Sequence, residues 1–134
     1  MSDVIDDARR AAHAVRAHAY APYSKFKVGA AVVMDGRVFA ATNVENASYP
    51  LSVCAERNAI AAGIAAGCTH LTAVVVVTDA APPSSPCGGC RQVLSEFADP
   101  AIDADVISLN PAGDERRWKL SALLPDSFSK SELP

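Results

Sequence analysis

The sequence predicts an α/β fold: a three-layer α/β/α sandwich on a mixed five-stranded sheet. Residues 71–78 (LTAVVVVT) form a continuous apolar, β-branched run, which is typical of a central strand buried on both faces. Residues 28–34 and 37–42 are short apolar runs on either side of Asp35-Gly36, a strong hairpin-turn signal. Segments with helical spacing alternate with the strands, which predicts helices packed on the sheet with right-handed crossovers.

The other elements follow in chain order. Apolar residues recur at helical spacing over residues 4–20, and a second, alanine-rich helix is predicted over 54–66, before Gly67. Residues 43–52 have no clean period and are predicted to form a loop. The later elements are a helix over 91–97, strands over 104–109 and 116–120, and short helical turns from residue 120 onward. We expect residues 1–134 to form a single domain.

Composition and charge exclude several classes of protein. The formal net charge is −3, and 20% of the residues are charged, so the chain lacks the basic footprint of a nucleic-acid-binding protein. No apolar run reaches the roughly 18 residues of a membrane span. The start MSDVIDDARR has acidic residues where a signal peptide has basic ones, so we expect a cytoplasmic protein. In that reducing compartment the four cysteines are expected to be metal ligands, catalytic thiols or core residues.

Three of the cysteines stand at predicted helix starts. Cys54 precedes the alanine-rich helix, and Cys87 and Cys90 form a C-x-x-C pair before the next helix. Helices in an alternating fold begin at the carboxyl ends of neighbouring parallel strands, so the three sulfurs are expected to meet at one sheet edge. Helix N-termini lower thiol pKa values, and thiolates bind zinc. Three ligands without an evident fourth predict a catalytic site with one Zn²⁺ per chain and a position open to water.

Two charged residues adjoin the first predicted ligand. Glu56 lies in the same helical turn as Cys54, within reach of the open position. Zinc lowers the pKa of bound water to about 7, and a carboxylate there can accept its proton and pass it to a leaving group. Hydrogen bonds from Arg57 would offset part of the net charge of three thiolates on one ion.

Other interpretations of the cysteines are weaker. A redox pair would account for C-x-x-C but for neither Cys54 nor the glutamate that follows it. A four-thiolate structural zinc would need Cys68, which lies about 21 Å away along the helix and is therefore expected to be a core residue. The histidines are not paired at metal spacing and are expected to be surface or packing residues; they are His13, His18 and His70.

Together, Cys54-Ala55-Glu56 and Pro86-Cys87-Gly88-Gly89-Cys90 give the chain a resemblance to the zinc-dependent nucleoside deaminases. Cysteine as the first ligand makes it most similar to the small homotetrameric cytidine deaminases. Nearly the whole chain shares this resemblance, through the segments APYSKFKVGA (21–30), NVENASYP (43–50), PCGGCRQV (86–93) and LLPDSF (123–128).

The resemblance implies a reaction. By this resemblance, cytidine and deoxycytidine would be hydrolysed to uridine and deoxyuridine with release of ammonia, as in pyrimidine salvage. Zinc-bound hydroxide would attack C4, and Glu56 would shuttle the protons. The resemblance also implies a homotetramer whose active sites are shared between subunits, with Tyr49 and Phe128 entering a neighbouring subunit's site.

It further implies how a nucleoside binds. Asn43 and Glu45 would hydrogen-bond the ribose 3′-hydroxyl, and Phe26 would pack against the pyrimidine. The Ala55 N–H, at the start of a helix, would bind the base O2.

Two alternatives from other classes stand beside this one. One is a zinc-stabilised interaction domain without catalysis, in which the glutamate would be dispensable. The other is a deaminase of a different aminopyrimidine, such as blasticidin S. The Asn43-x-Glu45 pair favours cytidine, because that other branch has no need of a ribose reader.

Overall fold

The computed structural model describes residues 3–134. Its helices and strands, in chain order, are α1 (Asp3–Arg16), β1 (Gly29–Met34), β2 (Arg37–Thr42), α2 (Ala55–Ala65), β3 (Leu71–Val77), α3 (Gly88–Phe97), β4 (Asp105–Leu109), β5 (Glu115–Lys119) and α4 (Leu120–Leu123). Short 3₁₀ turns cover Tyr49–Leu51 and Lys130–Glu132. No helix among these residues is both long and apolar enough to span a bilayer.

The five strands form one mixed sheet in the order β2-β1-β3-β4-β5. β3 and β4 pair in parallel, and the other neighbouring strands pair antiparallel. The β1–β2 hairpin turns at Asp35 and Gly36, which both have positive φ angles of 50° and 76°. This left-handed conformation matches the twist of a two-residue hairpin, which explains the Asp-Gly sequence. The predicted mixed five-stranded sheet is confirmed.

Apolar side chains on the two faces of the sheet form two separate cores. On one face Ala31, Val33 and Val75 pack against α1, in a cluster with Ala8 and Ala12. On the other face, side chains of the sheet pack against α2, α3 and α4. This second cluster includes Ala30, Val32, Met34, Ala55, Ala59, Ile60, Val74, Val76, Leu94, Val106 and Leu120. The sheet is therefore covered by helices on both faces, as the three-layer prediction requires.

Two helix boundaries differ from the prediction by three residues or more, and the others by at most one residue. α1 ends at Arg16, four residues early, because the chain turns there and Tyr20 pairs with Val44 in an isolated bridge. α3 begins at Gly88, three residues early, with Cys87 as its N-cap. Its first turn consists of glycine and cysteine, which carry no helical apolar pattern, so periodicity missed this turn.

The helix starts that carry the cysteines were predicted to meet because they follow neighbouring parallel strands, and this reason is wrong. β2 precedes α2 and β3 precedes α3, but these strands are not neighbours, since β1 lies between them. Both pair antiparallel with β1, so they run in the same direction and end at the same sheet edge. α2 and α3 then pack beside each other on one face, which brings their N-termini together.

A close approach between α1 and β1, at Gly29, predicts an effect on stability. A Cβ on Gly29 would lie 2.2 Å from the Ala12 carbonyl oxygen and 2.8 Å from Arg16 Cβ. We expect Gly29→Ala to lower the free energy of unfolding by about 1–3 kcal/mol, because helix backbone must move. Urea denaturation measures this loss. Gly63→Ala is the control and should cost less, because its Cβ would meet the flexible Met34 side chain; the reverse order would contradict the prediction.

Candidate active site

Three distant segments meet just before the first ligand. Tyr20, Val44 and Val53 form two isolated β-bridges, with Val44 between the other two. The Val53 N–H donates to the Val44 carbonyl at 2.9 Å, and the Val44 N–H donates to the Val53 carbonyl at 2.9 Å. These bonds fix the backbone entering α2, and so fix the position of Cys54.

The start of α2 places a thiol, Cys54, and a carboxyl group, Glu56, at this edge of the sheet. Cys54 is the N-cap, with extended backbone (φ −71°, ψ 152°), and Ala55 is the first helical residue. N–H groups in the first turn of a helix have no partner within the helix, so this turn favours anions and hydrogen-bond acceptors. Glu56, one residue further, is buried with 6% of its surface exposed.

The start of α3 supplies the other two sulfurs. Cys87 is the N-cap, and its Sγ accepts the backbone N–H of Cys90 at 3.4 Å. Cys90 is fully buried and Cys87 is exposed.

The three sulfurs form a cluster that fits zinc. The Sγ atoms of Cys54, Cys87 and Cys90 all lie within 4.8 Å of one another. Zn–S bonds are about 2.3 Å long, so sulfurs around one tetrahedral zinc lie about 3.8 Å apart, and only small movements are needed. Three soft thiolate donors also suit zinc chemically. Cys68, buried at the far end of α2, is not in this cluster and packs in the core, as predicted.

The thiols perturb one another strongly. The pKa of Cys54 is lowered to about 6, chiefly because the Cys90 thiol donates a hydrogen bond to its thiolate. The Cys87 thiol and the charge of Arg57 lower it further, against the effect of burial. The pKa of Cys90 is raised, because its proton is the one shared with Cys54 and because it is buried. A bound cation would reverse this competition and favour thiolate at all three positions.

Glu56 is a buried acid beside this cluster. Burial raises its pKa to about 7, and the negative charge of Cys54 contributes in the same direction. A carboxyl group whose pKa lies near neutral pH can both accept and donate a proton under physiological conditions.

This pKa predicts how the stability of the zinc-free protein depends on pH. The ordinary value is 4.5, so between pH 4.5 and 7 the folded state binds more protons than the unfolded chain. The contribution of Glu56 to stability is therefore fully present below pH 4.5, falls between pH 4.5 and 7, and is lost above pH 7. At about 1.4 kcal/mol per pKa unit, the ionisation of Glu56 lowers the free energy of unfolding by up to about 3 kcal/mol. This decrease should be absent in Glu56→Gln.

Urea unfolding with chelator and reductant, from pH 4.5 to 8, measures this difference between wild type and variant. The cysteines are the same in both proteins, so the difference between the two profiles reports the ionisation of Glu56 together with its coupling to Cys54 and Cys90. Parallel pH profiles for the two proteins would contradict the prediction.

A cavity of about 340 Å³ opens onto the cluster. Most of the predicted site residues line it: Phe26, Asn43, Glu45, Tyr49, Cys54, Ala55, Glu56 and Cys87. The cavity combines apolar walls with a few polar groups, which is the usual composition of a small-molecule site. Tyr49, predicted to reach a neighbouring subunit, lies at this cavity in its own chain and is 78% exposed.

Asn43 and Glu45 are held by the segment that precedes β1. Asn43 Oδ1 accepts the Val28 N–H at 2.9 Å, and its Nδ2 donates to the Phe26 carbonyl at 2.8 Å. Glu45 Oε1 accepts the N–H groups of residues 23 and 24 at 3.0 and 3.1 Å, and Oε2 accepts the Ser24 hydroxyl. These bonds, the hydroxyl first, lower the pKa of Glu45 and fix its direction.

Two predicted residues lie elsewhere. Phe128 is 60% exposed and lines a separate cavity beside the C-terminal end of α3. Arg57 is exposed, and within residues 3–134 its side chain makes no hydrogen bond to the three sulfurs. It affects the cluster through charge alone.

Sequence reasoning missed several residues that line the cavity. They are Ser24, Val28, Val76, Thr78, Ser84 and Ser85. Ser24 was within a recognised segment, but its contact with Glu45 joins residues 21 positions apart. The serines of the β3–α3 loop carried no motif, and only the folding of that loop brings them to the site.

A cluster of three cysteine sulfurs at the edge of an α/β sheet, beside a buried carboxylic acid and a cavity, defines a zinc enzyme of the catalytic type. The family described as "Cytidine and deoxycytidylate deaminase zinc-binding region" matches residues 3–104. The chain belongs to this family.

Individual relatives agree with the family. The cytidine deaminase of Halalkalibacterium halodurans is 44% identical over 119 residues, 88% of this chain and 89% of the relative. That of Sporosarcina psychrophila is 41% identical over 119 residues, 88% and 86% of the two chains. The crystal structure of cytidine deaminase from Burkholderia pseudomallei superposes with a TM-score of 0.85 at 48% identity, covering 92% of this chain and 98% of that one.

Proposed function

We propose that this chain catalyses the hydrolytic deamination of cytidine and deoxycytidine to uridine and deoxyuridine, with release of ammonia. The observation that carries the proposal is the juxtaposition of Glu56, buried and with a raised pKa, with three cysteine sulfurs at one cavity. Family membership and relatives named cytidine deaminase support the substrate class.

Cys54, Cys87 and Cys90 would hold one zinc ion through their sulfurs. When bound, zinc supplies a nucleophile at neutral pH by lowering the pKa of a coordinated water. The structural-zinc alternative is disfavoured, because a closed site needs a fourth protein ligand and the cluster found among residues 3–134 has three.

Glu56 would move the protons of the reaction. With a pKa of about 7 it can take a proton from the nucleophile, protonate N3 of the base and deliver a proton to the departing ammonia. Its burial keeps bulk water from exchanging these protons, which is the condition under which positioned acid–base groups are most effective.

The remaining cavity residues would bind and orient the nucleoside. The Ala55 N–H, in the first turn of α2, would donate to the base O2, and Phe26 would form an apolar wall for the ring. Glu45 keeps a low pKa and is an acceptor, so it would pair with a donor such as a ribose hydroxyl. Asn43 would bind the same hydroxyl with the hydrogen-bonding capacity left beyond its two backbone bonds.

An ultraviolet assay of the zinc-loaded protein tests the proposal. We expect the cytosine absorbance to fall with both cytidine and deoxycytidine, with one ammonia released per nucleoside, and no change with blasticidin S. A zinc count of one per chain should accompany the activity. No absorbance change with either cytidine nucleoside would overturn the proposal, and turnover of blasticidin S alone would favour the alternative deaminase.

We further propose a cytoplasmic homotetramer of single-domain chains with shared active sites. The exposure of Phe128 outside the cavity of its own chain supports sharing, because a neighbouring subunit would cover it. Native mass spectrometry should find four chains, and a fully active monomer would contradict the shared site.

A further inference from the structure

Arg91 directly follows the predicted ligand Cys90 and has no part in the proposed reaction. Its half-buried guanidinium donates three hydrogen bonds, each from a different nitrogen. Nε donates to the Pro86 carbonyl at 2.8 Å, and Nη2 donates to Ser85 Oγ at 2.7 Å. Nη1 donates to the Leu123 carbonyl at 2.9 Å. A planar guanidinium can hold three such acceptors in fixed directions.

Two of these acceptors lie in the loop that leads into Cys87. Residues 82, 83 and 86 of this loop are prolines, which have no N–H to donate to neighbouring segments. The loop is held instead by side chains that donate to its carbonyl oxygens. The donors are Asn110 to Ala80 (3.1 Å), Arg116 to Pro83 (3.2 Å), Ser108 to Ser84, and Arg91 to Pro86 (2.8 Å). Of these donors, Arg91 holds the residue adjacent to Cys87.

The third bond joins the same helix to the C-terminal segment. Leu123 is the last residue of α4, so Arg91 links the end of α4 to the loop that leads into Cys87. The neighbouring Gln92 adds a second link, since its Nε2 donates to the Phe128 carbonyl at 2.8 Å. Residues 123–128 are therefore attached to the helix that carries Cys90 at two points.

We propose that Arg91 is a positioning residue for the metal site, which holds the Ser85 hydroxyl and the Pro86 carbonyl against α3 and so keeps Cys87 Sγ at metal distance from the other two sulfurs. The inference rests on the zinc site of the proposed function. Among residues 3–134, Arg91 is the donor found at the Pro86 carbonyl, and Cys87 is the exposed member of the cluster. Loss of such an outer contact typically weakens metal binding by about 10–100-fold.

The test measures zinc release from the loaded protein into excess chromophoric chelator. Arg91→Lys keeps the charge but cannot hold the three acceptors, so zinc should leave about 10–100-fold faster. Ser85→Ala removes one acceptor and should give a smaller acceleration. Arg116→Lys is the matched control: it weakens a bond to the same loop, at Pro83, and should leave the release rate near that of wild type.

A second readout separates positioning from general destabilisation. In the cobalt-substituted proteins, the thiolate-to-metal absorption should change in Arg91→Lys and stay as in wild type in Arg116→Lys. Wild-type release rates and an unchanged cobalt spectrum in Arg91→Lys would overturn the inference. So would equal effects of Arg91→Lys and Arg116→Lys. A wild-type chain that takes up no zinc would instead overturn the proposed zinc site, and this inference with it.

Discussion

Replacing Glu56 by glutamine is expected to lower kcat on cytidine by roughly 10²–10⁴-fold while one zinc ion per chain stays bound. Glutamine has nearly the same shape but cannot accept and release a proton. The three cysteines are unchanged, so the metal should remain. Steady-state kinetics by ultraviolet absorbance and metal analysis on the same sample measure the two quantities.

Glu45→Gln is the matched control, because both carboxyl groups line the same cavity. Their environments shift the two pKa values in opposite directions, with that of Glu56 raised by burial and that of Glu45 lowered by the Ser24 hydroxyl and backbone N–H groups. Opposite pKa shifts of this kind distinguish a carboxyl group that carries protons, here Glu56, from one that stays ionised, here Glu45. Glu45→Gln should therefore raise KM more than it lowers kcat. A zinc-loaded Glu56→Gln enzyme with wild-type kcat would show that another group carries the protons.

Replacing Cys90 by serine is expected to remove the zinc and, with it, the activity. Cys90 is fully buried between the other two sulfurs and the core, and a serine hydroxyl does not ionise to replace the thiolate. The loss of affinity should exceed the roughly 10–100-fold typical of an outer-shell partner. Metal analysis after dialysis against a weak chelator measures it.

Cys68→Ala is the control for the loss of a buried cysteine. Cys68 is 4% exposed, packs in the core with α2 and β3, and accepts a weak hydrogen bond from Arg37 at 3.7 Å. We expect this variant to keep one zinc per chain and full activity, at a cost of roughly 1 kcal/mol in stability. Equal zinc loss in Cys68→Ala and Cys90→Ser would mean that the metal loss reflects general destabilisation and not ligation.

Local patterns were enough to predict the strands and the chemistry of the cysteines. Residues 71–77 form a central strand because β-branched residues suit a surface buried on both sides, and Asp35-Gly36 forms the hairpin because both residues tolerate positive φ. The spacing of Cys87 and Cys90 with two glycines between them predicted a metal pair. Each of these inferences depends on residues close together in the sequence, where backbone preference and spacing determine the outcome.

The sequence by itself determined which residue types form the metal cluster and which glutamate accompanies them, since both are carried by short motifs at helix starts. Only the tertiary structure decided how these motifs meet: β1 lies between β2 and β3, and α2 packs beside α3. The burial that raises the pKa of Glu56 and the three partners of Arg91 also depend on this packing. The bond from Arg91 to Leu123 joins residues 32 positions apart, and Cys54 and Cys90 in the cluster lie 36 positions apart (90 − 54). Such contacts follow from sheet order and helix docking, which neither periodicity nor motif spacing encodes.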